Sequence, residues 1–402
     1  MSMTIYRVYD DTKVLFHLPD CVIYLDGNSL GALPLGVAER VGRVITEEWG
    51  NELIRAWNTA GWYVQPRQLG DRIARLVGAE AGSVMVGDTL SLKVYQALAA
   101  ALDMNASRKI VLSDTGNFPT DLYMAEGLIA TLGRGHQLRL VAPEEIEAAL
   151  SEEIAALYIT EVDYRTGRRH DMAKLTARAH ALGIVTVWDL AHSAGALPVD
   201  LAGCGADFAA GCTYKYLNAG PGAPAFLYVA PRHADTARAA LSGWMGHAKP
   251  FAFELAYAAA GGVERMRVGT PPVLAMAALE ASLDIWDRID LAEVRARSLA
   301  LGDLLIAEVE RRCPSLRLVT PRAHDHRGSQ VSFAFDGGYA AMQALIARGL
   351  IGDFRAPDIM RFGITPLYIG ESEILRAAEI IEEVIAGEVW RQPEYQVVNA
   401  VT

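Results

Sequence analysis

From about residue 70 the chain alternates between short runs of consecutive apolar residues and longer stretches with apolar positions spaced for a helix. The apolar runs predict strands at Val84–Gly87, Lys109–Ser113, Leu138–Val141, Ala156–Thr160, Ile184–Asp189, Asp207–Cys212 and Ala225–Val229. Helices are predicted among them at Ser91–Met104, Asp121–Leu132 and Met172–Leu182. Strand and helix in alternation point to a doubly wound α/β sheet, mostly parallel and flanked by helices.

The flanks read differently. Leu33 through Trp49 has the spacing of an amphipathic helix with Pro34 near its start. An aromatic segment follows, with Trp57, Trp62 and Tyr63, for which core packing is the expected use. A long helix is predicted over Val273–Arg288. Beyond it come a helix at Val294–Arg312, strands at Leu316–Val319 and Ser329–Phe335, a helix at Tyr339–Arg348 and another near Ser372–Ala386. This second alternation, with an antiparallel-looking strand pair, fits a small α/β domain. The expected organisation is an N-terminal segment 1–50 belonging to the small domain, a large domain 51–285 and a small domain 286–402.

Composition adds exclusions. A chain of 402 residues, 51% hydrophobic and 21% charged, can bury a sizeable core and is not disordered. The net charge of −11 argues against nucleic acid or an anionic membrane as a main partner. Cys21, Cys204, Cys212 and Cys313 show no zinc-ligand spacing, and scattered cysteines of this kind are usually reduced. The opening M-S-M-T-I-Y-R-V-Y-D-D has no apolar signal core, and no stretch approaches a membrane span, so the cytoplasm is the expected compartment.

The candidate chemistry lies at strand ends. In D-F-A-A-G-C-T-Y-K-Y-L-N-A-G-P-G, Lys215 follows an apolar strand and sits between Tyr214 and Tyr216. Desolvation there favours a neutral, nucleophilic amine, as a Schiff-base lysine requires, although a lysine snorkelling into water fits the same pattern. Asp189 ends the strand I-V-T-V-W-D and is followed by Leu190-Ala191-His192. A strand-end aspartate beside a pyridine nitrogen is part of the pyridoxal phosphate binding pattern; alternatively Asp189 caps a turn. In a doubly wound sheet both residues open onto the carboxyl edge, where ligands bind. That edge also receives Leu90 and Ser91 at a helix start, Phe118-Pro119-Thr120-Asp121, and Thr160. Together these supply a helix N-terminus and hydroxyl for a phosphate, an aromatic face, an acid and an amine. Gly220-Pro221-Gly222-Ala223-Pro224-Ala225 fits a dinucleotide fingerprint in letters only, because it leads into a strand instead of a helix. Trp244 and Thr270 stand in loop-like surroundings, where packing or turn formation is the ordinary use. Arg361, in the apolar and loop-rich R-F-G-I-T-P-L-Y, wants a carboxylate, from a substrate or from a structural salt bridge. His324 and His326 read as a solvated loop, and Cys313 as a packed thiol.

The words Y-L-D-G-N-S-L-G, F-P-T-D, D-L-A-H-S-A-G-A-L-P-V-D-L, T-Y-K-Y-L-N-A-G-P-G, G-W-M-G-H, R-V-G-T-P-P and R-G-S-Q-V-S-F, spread from Tyr24 to Tyr368, resemble the kynureninase family. The resemblance implies pyridoxal phosphate fold type I. It implies a pyridoxal 5'-phosphate cofactor, an amino-acid substrate and a homodimer with shared active sites. The reaction implied is hydrolysis of L-kynurenine, or its 3-hydroxy form, to an anthranilate and L-alanine in tryptophan catabolism. Carried over, Lys215 would hold the cofactor covalently, Asp189 would pair with its ring nitrogen, and His192 would sit beside it. Leu90, Ser91, Thr160 and Tyr214 would contact the cofactor, and Phe118, Pro119, Thr120 and Asp121 would line its ring. Trp244 and Thr270 would reach the phosphate from the partner subunit, and Arg361 would bind the substrate carboxylate. Tyr214 is the expected proton donor. The alternatives are a cysteine desulfurase or another class V enzyme on the same fold, or a catalytically silent relative that binds a ligand as a sensor.

Overall fold

The computed structural model describes residues 5–397. Residues 1–4 and 398–402, the extreme ends of the N- and C-terminal segments, lie outside the described residues.

All seven apolar runs form strands of one sheet. They are β1 (Val84–Val86), β2 (Ile110–Asp114), β3 (Gln137–Val141), β4 (Ile154–Thr160), β5 (Val185–Asp189), β6 (Phe208–Gly211) and β7 (Phe226–Val229), in the order β1-β7-β6-β5-β4-β2-β3. Only β7 runs against its neighbours. Every residue of β4 is buried, as expected of a central strand covered on both faces. Helices α1 (Gly36–Arg43), α2 (Gln65–Leu76), α3 (Leu90–Met104), α4 (Pro119–Leu132), α5 (Met172–Ala181) and α6 (Val273–Trp286) belong to this half of the chain. Two apolar clusters pack on the sheet: one runs from Leu69 and Ile73 to Trp188, Leu217 and Trp286 and on into the C-terminal half, the other gathers Val94, Leu98, Val187, Phe208 and Leu227.

The N-terminal helix departs from the sequence expectation. Leu33–Pro34 is extended and pairs with Phe16–His17, and the helix begins only at Gly36. From Val44 to Glu52 it continues as a π-helix. Trp57, Trp62 and Tyr63 are half-buried instead of core residues. Trp57 meets Trp62 and Phe251 edge-on, and Tyr63 also packs on Phe251.

A second sheet carries β8 (Arg317–Leu318), β9 (Gln330–Ala334), β10 (Asp353–Arg355) and β11 (Ile359–Gly363), in the order β8-β9-β11-β10 and antiparallel throughout. Helices α7 (Leu291–Arg312), α8 (Gly338–Ile346) and α9 (Glu371–Ile385) go with it. Arg361 therefore lies in the middle of a strand, not in a loop, and is paired across to Ser332 and Asp353.

The N-terminal segment joins the two sheets. Ile23–Tyr24 pairs in parallel with Leu350–Ile351, and the Gly363 amide donates to the Leu25 carbonyl at 2.7 Å. The Gly31 amide donates to the Tyr214 carbonyl at 2.8 Å. A Cβ on Gly31 would stand 2.3 Å from the Lys215 carbonyl oxygen, so only glycine lets this turn close on the lysine loop.

Candidate active site

The carboxyl ends of β1, β2, β4, β5 and β6 lie along one edge of the first sheet. Thr160 and Asp189 are direct neighbours in the register of β4 and β5, and Asp189 is opposite Ala210 of β6. The chain leaves β6 through Cys212 and Thr213 and reaches Lys215 within a few residues. Lys215 Nζ lies 3.2 Å from His192 Nε2 and 5.9 Å from the ring centroids of both Phe118 and Tyr214. Phe118, at the start of α4, meets Tyr164 edge-on at 5.1 Å. Pro119 occupies the first turn of α4, where its missing N–H costs no bond.

The electrostatics follow from burial among charges. Burial, then the Lys215, Arg361 and Arg355 cations, push the His192 imidazole well below its ordinary value, so it is neutral. Burial and the neighbouring Asp189 push Asp121 well above the carboxylate range. Burial also raises Asp189, against the opposing pull of Lys215. Burial raises both carboxyls, Asp121 the more strongly. Asp189 accepts the Ala191 amide at 2.6 Å, which fixes its orientation. The nearby Cys212, then burial and Asp189, raise the Tyr214 phenol well above its usual value.

Leu90 and Ser91 open α3, whose N-cap is Thr89. The Thr160 hydroxyl is buried and donates to the backbone, to the Val162 carbonyl at 3.2 Å. Arg361, 1% exposed, gives Nε to Asp353 Oδ1 at 2.5 Å and Nη2 to Asp353 Oδ2. Its Nη1 donates to the Tyr164 carbonyl at 2.5 Å and its Nη2 to Ser29 Oγ at 3.0 Å. The structure thus brings Tyr214, His192, Asp189, Asp121 and Phe118 together about Lys215, with Arg361 joined to them through Tyr164. Among the described residues, neither Trp244 nor Thr270 makes a hydrogen bond or ring contact with this group. Trp244 instead packs with Phe251 and Phe253 in a partly exposed aromatic cluster. Thr270 is exposed, on the segment leading into α6.

Residues 294–381 match the model of the kynureninase C-terminal domain. The chain is 50% identical to a kynureninase of Pseudomonas fluorescens over 394 residues, 96% of this chain and 95% of the relative. A kynureninase of Burkholderia pseudomallei (strain 1106a) matches at the same identity and coverage. The chain belongs to the kynureninase family. Solved structures with the same fold include a cysteine desulfurase from Thermococcus onnurineus NA1, with a TM-score of 0.80, 19% identity, and 96% of this chain and 100% of that chain covered. A C-DES mutant with glycine covalently linked to its PLP cofactor matches with a TM-score of 0.78 at 19% identity, covering 90% of this chain and 96% of that one. At that identity the two structures establish the fold alone, and the desulfurase alternative gains nothing from them. Cys212, the cysteine nearest Lys215, is buried with its thiol against the Ala191 carbonyl at 3.7 Å, and burial raises it. It has neither the exposure nor the thiolate character of a mobile nucleophile.

Sequence reasoning missed the residues that surround Arg361: Asp26, Ser29, Tyr164, Asp353 and Arg355. The D-G-N-S and D-F-R words carried the signal, but neither shows by itself which face of which strand it lies on.

The site fits a pyridoxal phosphate. Asp121, Asp189 and the Tyr158 hydroxyl form a buried polar cluster at the strand ends beside Lys215, a donor and acceptor set suited to a pyridine nitrogen and its ring substituents. An amine, an aromatic face and a helix N-terminus surround them.

Proposed function

We propose that this protein is a pyridoxal-phosphate-dependent hydrolase that cleaves L-kynurenine to anthranilate and L-alanine, with 3-hydroxykynurenine as a related substrate. The observation that carries the reading is the convergence of Lys215, His192 and Asp189 at adjoining strand ends, with Arg361 facing them from the second sheet.

Lys215 would hold the cofactor covalently, and Asp189 would hold its ring nitrogen protonated. Leu90, Ser91, Thr160 and Tyr214 would contact it, and Phe118, Pro119, Thr120 and Asp121 would line its ring. Bound there, pyridoxal phosphate supplies an electron sink for charge developing at the substrate's Cα. Arg361 orients the substrate through its α-carboxylate. The Lys215 amine, once free, would take the Cα proton. His192, neutral and 3.2 Å away, holds the lysine amine in place. Water adds to the side-chain ketone, the Cβ–Cγ bond breaks, and Tyr214 returns a proton to the carbon that becomes the alanine methyl group. The raised phenol supports this role, because it stays protonated until a strong base forms beside it.

The working form in this reading is a cytoplasmic homodimer acting in tryptophan catabolism, with Trp244 and Thr270 reaching the partner's phosphate site. An exposed apolar surface supports the dimer: Phe251, Phe253 and Leu255 are solvent-facing beside Trp244. We assign residues 1–50 to the small domain with 286–402, against a large domain of 51–285. The pairing of Ile23–Tyr24 with Leu350–Ile351 supports that grouping.

The test is to mix the holoenzyme with L-kynurenine and follow anthranilate fluorescence, with borohydride trapping in parallel. Anthranilate release and a reduced adduct on Lys215 are expected. An adduct without anthranilate would keep the cofactor and reject the substrate.

A further inference from the structure

Arg361 has almost no capacity left for a ligand. A guanidinium offers five N–H donors. Four are committed within the protein: Nε and one Nη2 hydrogen to Asp353, the other Nη2 hydrogen to Ser29, and one Nη1 hydrogen to the Tyr164 carbonyl. One donor remains, whereas a carboxylate is ordinarily gripped by two parallel N–H groups.

Arg355 stands on the same Asp353. Its Nη2 lies 2.9 Å from Asp353 Oδ2, and its Nη1 donates to the Phe354 carbonyl at 2.8 Å. Among the described residues three of its five donors are uncommitted, and its side chain is 34% exposed against 2% for Arg361. Arg361 reaches the reacting centre through Tyr164, whose carbonyl accepts its Nη1 and whose ring meets Phe118 beside Lys215, and Arg355 stands next to it on the shared Asp353. The charged groups facing this corner are Asp26 from the N-terminal turn, Asp353 and Arg355 from β10, and Arg361 from β11. Ser29 donates to Asp353 Oδ2 at 2.5 Å and ties the N-terminal turn to the pair. One well-held carboxylate, Asp353, therefore bridges two cations, and the more accessible cation has donors to spare.

We propose that Arg355 is a second anchor for the substrate's α-carboxylate and that Asp353 is the fixed counter-ion that aligns the two guanidinium groups. The inference rests on the reading of the site as one for an amino-acid substrate. In it the substrate carboxylate spans the free Nη1 hydrogen of Arg361 and the uncommitted donors of Arg355. Asp353 keeps Arg361 rigid and leaves Arg355 to discriminate amino acids with a free carboxylate from those without one.

The experiment uses the holoenzyme and its Arg355→Met and Arg355→Lys variants. L-alanine and L-alaninamide, which differ only in the masked carboxylate, are titrated against the cofactor absorbance, and L-kynurenine turnover is followed beside them. Arg355→Met is expected to weaken L-alanine binding and raise the kynurenine KM by about 10- to 100-fold, the worth of one or two charge-assisted hydrogen bonds. It should leave kcat within a few-fold and L-alaninamide binding unchanged, and Arg355→Lys should recover part of the loss. If Arg355→Met does not fold, Arg355→Lys alone must still separate alanine from alaninamide. Unchanged L-alanine affinity, or an equal loss for both probes, would overturn the role of Arg355 while leaving kynurenine turnover by the wild type untouched. A wild type that discriminates the two probes through Arg355 but releases no anthranilate would instead overturn the reaction and keep the anchor.

Discussion

His192 Nε2 lies 3.2 Å from Lys215 Nζ, and His192 is a buried imidazole held neutral by three nearby cations. Because burial and the cations both disfavour imidazolium, His192 serves Lys215 as a hydrogen-bond partner and not as a titrating acid. His192→Asn keeps a polar partner of different reach, so kcat is expected to fall by roughly 10-fold as the lysine amine loses its alignment. The pH–rate profile between pH 5 and 8 should keep its shape. Loss of a limb in that range on substitution would mean that His192 exchanges a proton during turnover.

Tyr214 makes the complementary case. Cys212, burial and Asp189 together keep its phenol protonated, which suits a donor to carbon and not a phenolate base. Tyr214→Phe is expected to retain the cofactor spectrum and lower kcat by about 10²- to 10⁴-fold, the usual worth of a positioned general acid. A variant that releases anthranilate at the wild-type rate would assign the donor elsewhere.

These two residues were readable in the sequence because strand ends announce themselves. An apolar run that stops at Asp189, or at T-Y-K-Y, fixes both the strand and the edge on which its last side chains emerge, and all seven runs joined one sheet. The surroundings of Arg361 were not readable in the same way. Strands β10 and β11 are three and five residues long, too short for period-two alternation to declare itself. The partners Ser29 and Tyr164 come from positions 332 and 197 residues away. The N-terminal helix failed for a local reason: Leu33–Pro34 matches the helical spacing, but its backbone pairs with Phe16–His17.

Asp26 links pH to this corner of the site. Burial first, then the Asp353 carboxylate, push its carboxyl up from 3.8 to about 7. A raised carboxyl gives the folded state an extra proton between those limits, so the contribution is favourable below about pH 4 and is lost as pH rises toward 7. Each pH unit crossed within that window costs the native state at most about 1.4 kcal/mol relative to a variant without the group. Asp26→Asn should therefore gain melting temperature over the wild type steadily from pH 4 to pH 7 and then level off. A constant difference across that range would place the Asp26 carboxyl near its ordinary value.

Asp207, at the foot of β6, behaves in the opposite sense. Burial works to raise it, but hydrogen bonds from His180 and His233 at 2.8 Å and the Thr186 amide at 2.8 Å outweigh burial and hold it far below the usual range. Arg232 adds an ion pair at 2.6 Å. Its stabilisation is present above the normal carboxylate pKa and is lost as pH falls through the depressed value. Asp207→Asn is expected to destabilise by about 1–3 kcal/mol at neutral pH, since the buried Thr186 amide and the partly buried His233 lose an anionic acceptor while His180 and Arg232 are exposed enough to turn to water. Denaturant midpoints of wild type and variant should converge in strong acid. A variant as stable as the wild type at pH 7 would show the cluster to be dispensable.

The turn from β1 into α3 rests on a buried ion pair. Lys93 is fully buried, and its Nζ reaches Asp88 Oδ2 at 2.9 Å, Gln96 Oε1 at 3.1 Å and the Met266 carbonyl at 3.3 Å. Asp88 sits at φ +54°, a left-handed conformation that costs an aspartate little but a branched or bulky residue more. Burial lowers Lys93, and Asp88 opposes the fall. The turn leads directly into the Leu90 and Ser91 amides that seat the proposed phosphate. Lys93→Met should leave Asp88 unpaired, loosen the turn and speed cofactor release by about 10-fold, the equivalent of roughly 1.4 kcal/mol. Asp88→Asn, which tolerates the left-handed angle, should release cofactor less readily than Asp88→Val, which does not. Release is read from the decay of cofactor absorbance after dilution into a trap. Equal rates for the wild type and Lys93→Met would mean that the Thr89 cap alone, accepting the Leu92 amide at 3.4 Å, holds the first turn of α3.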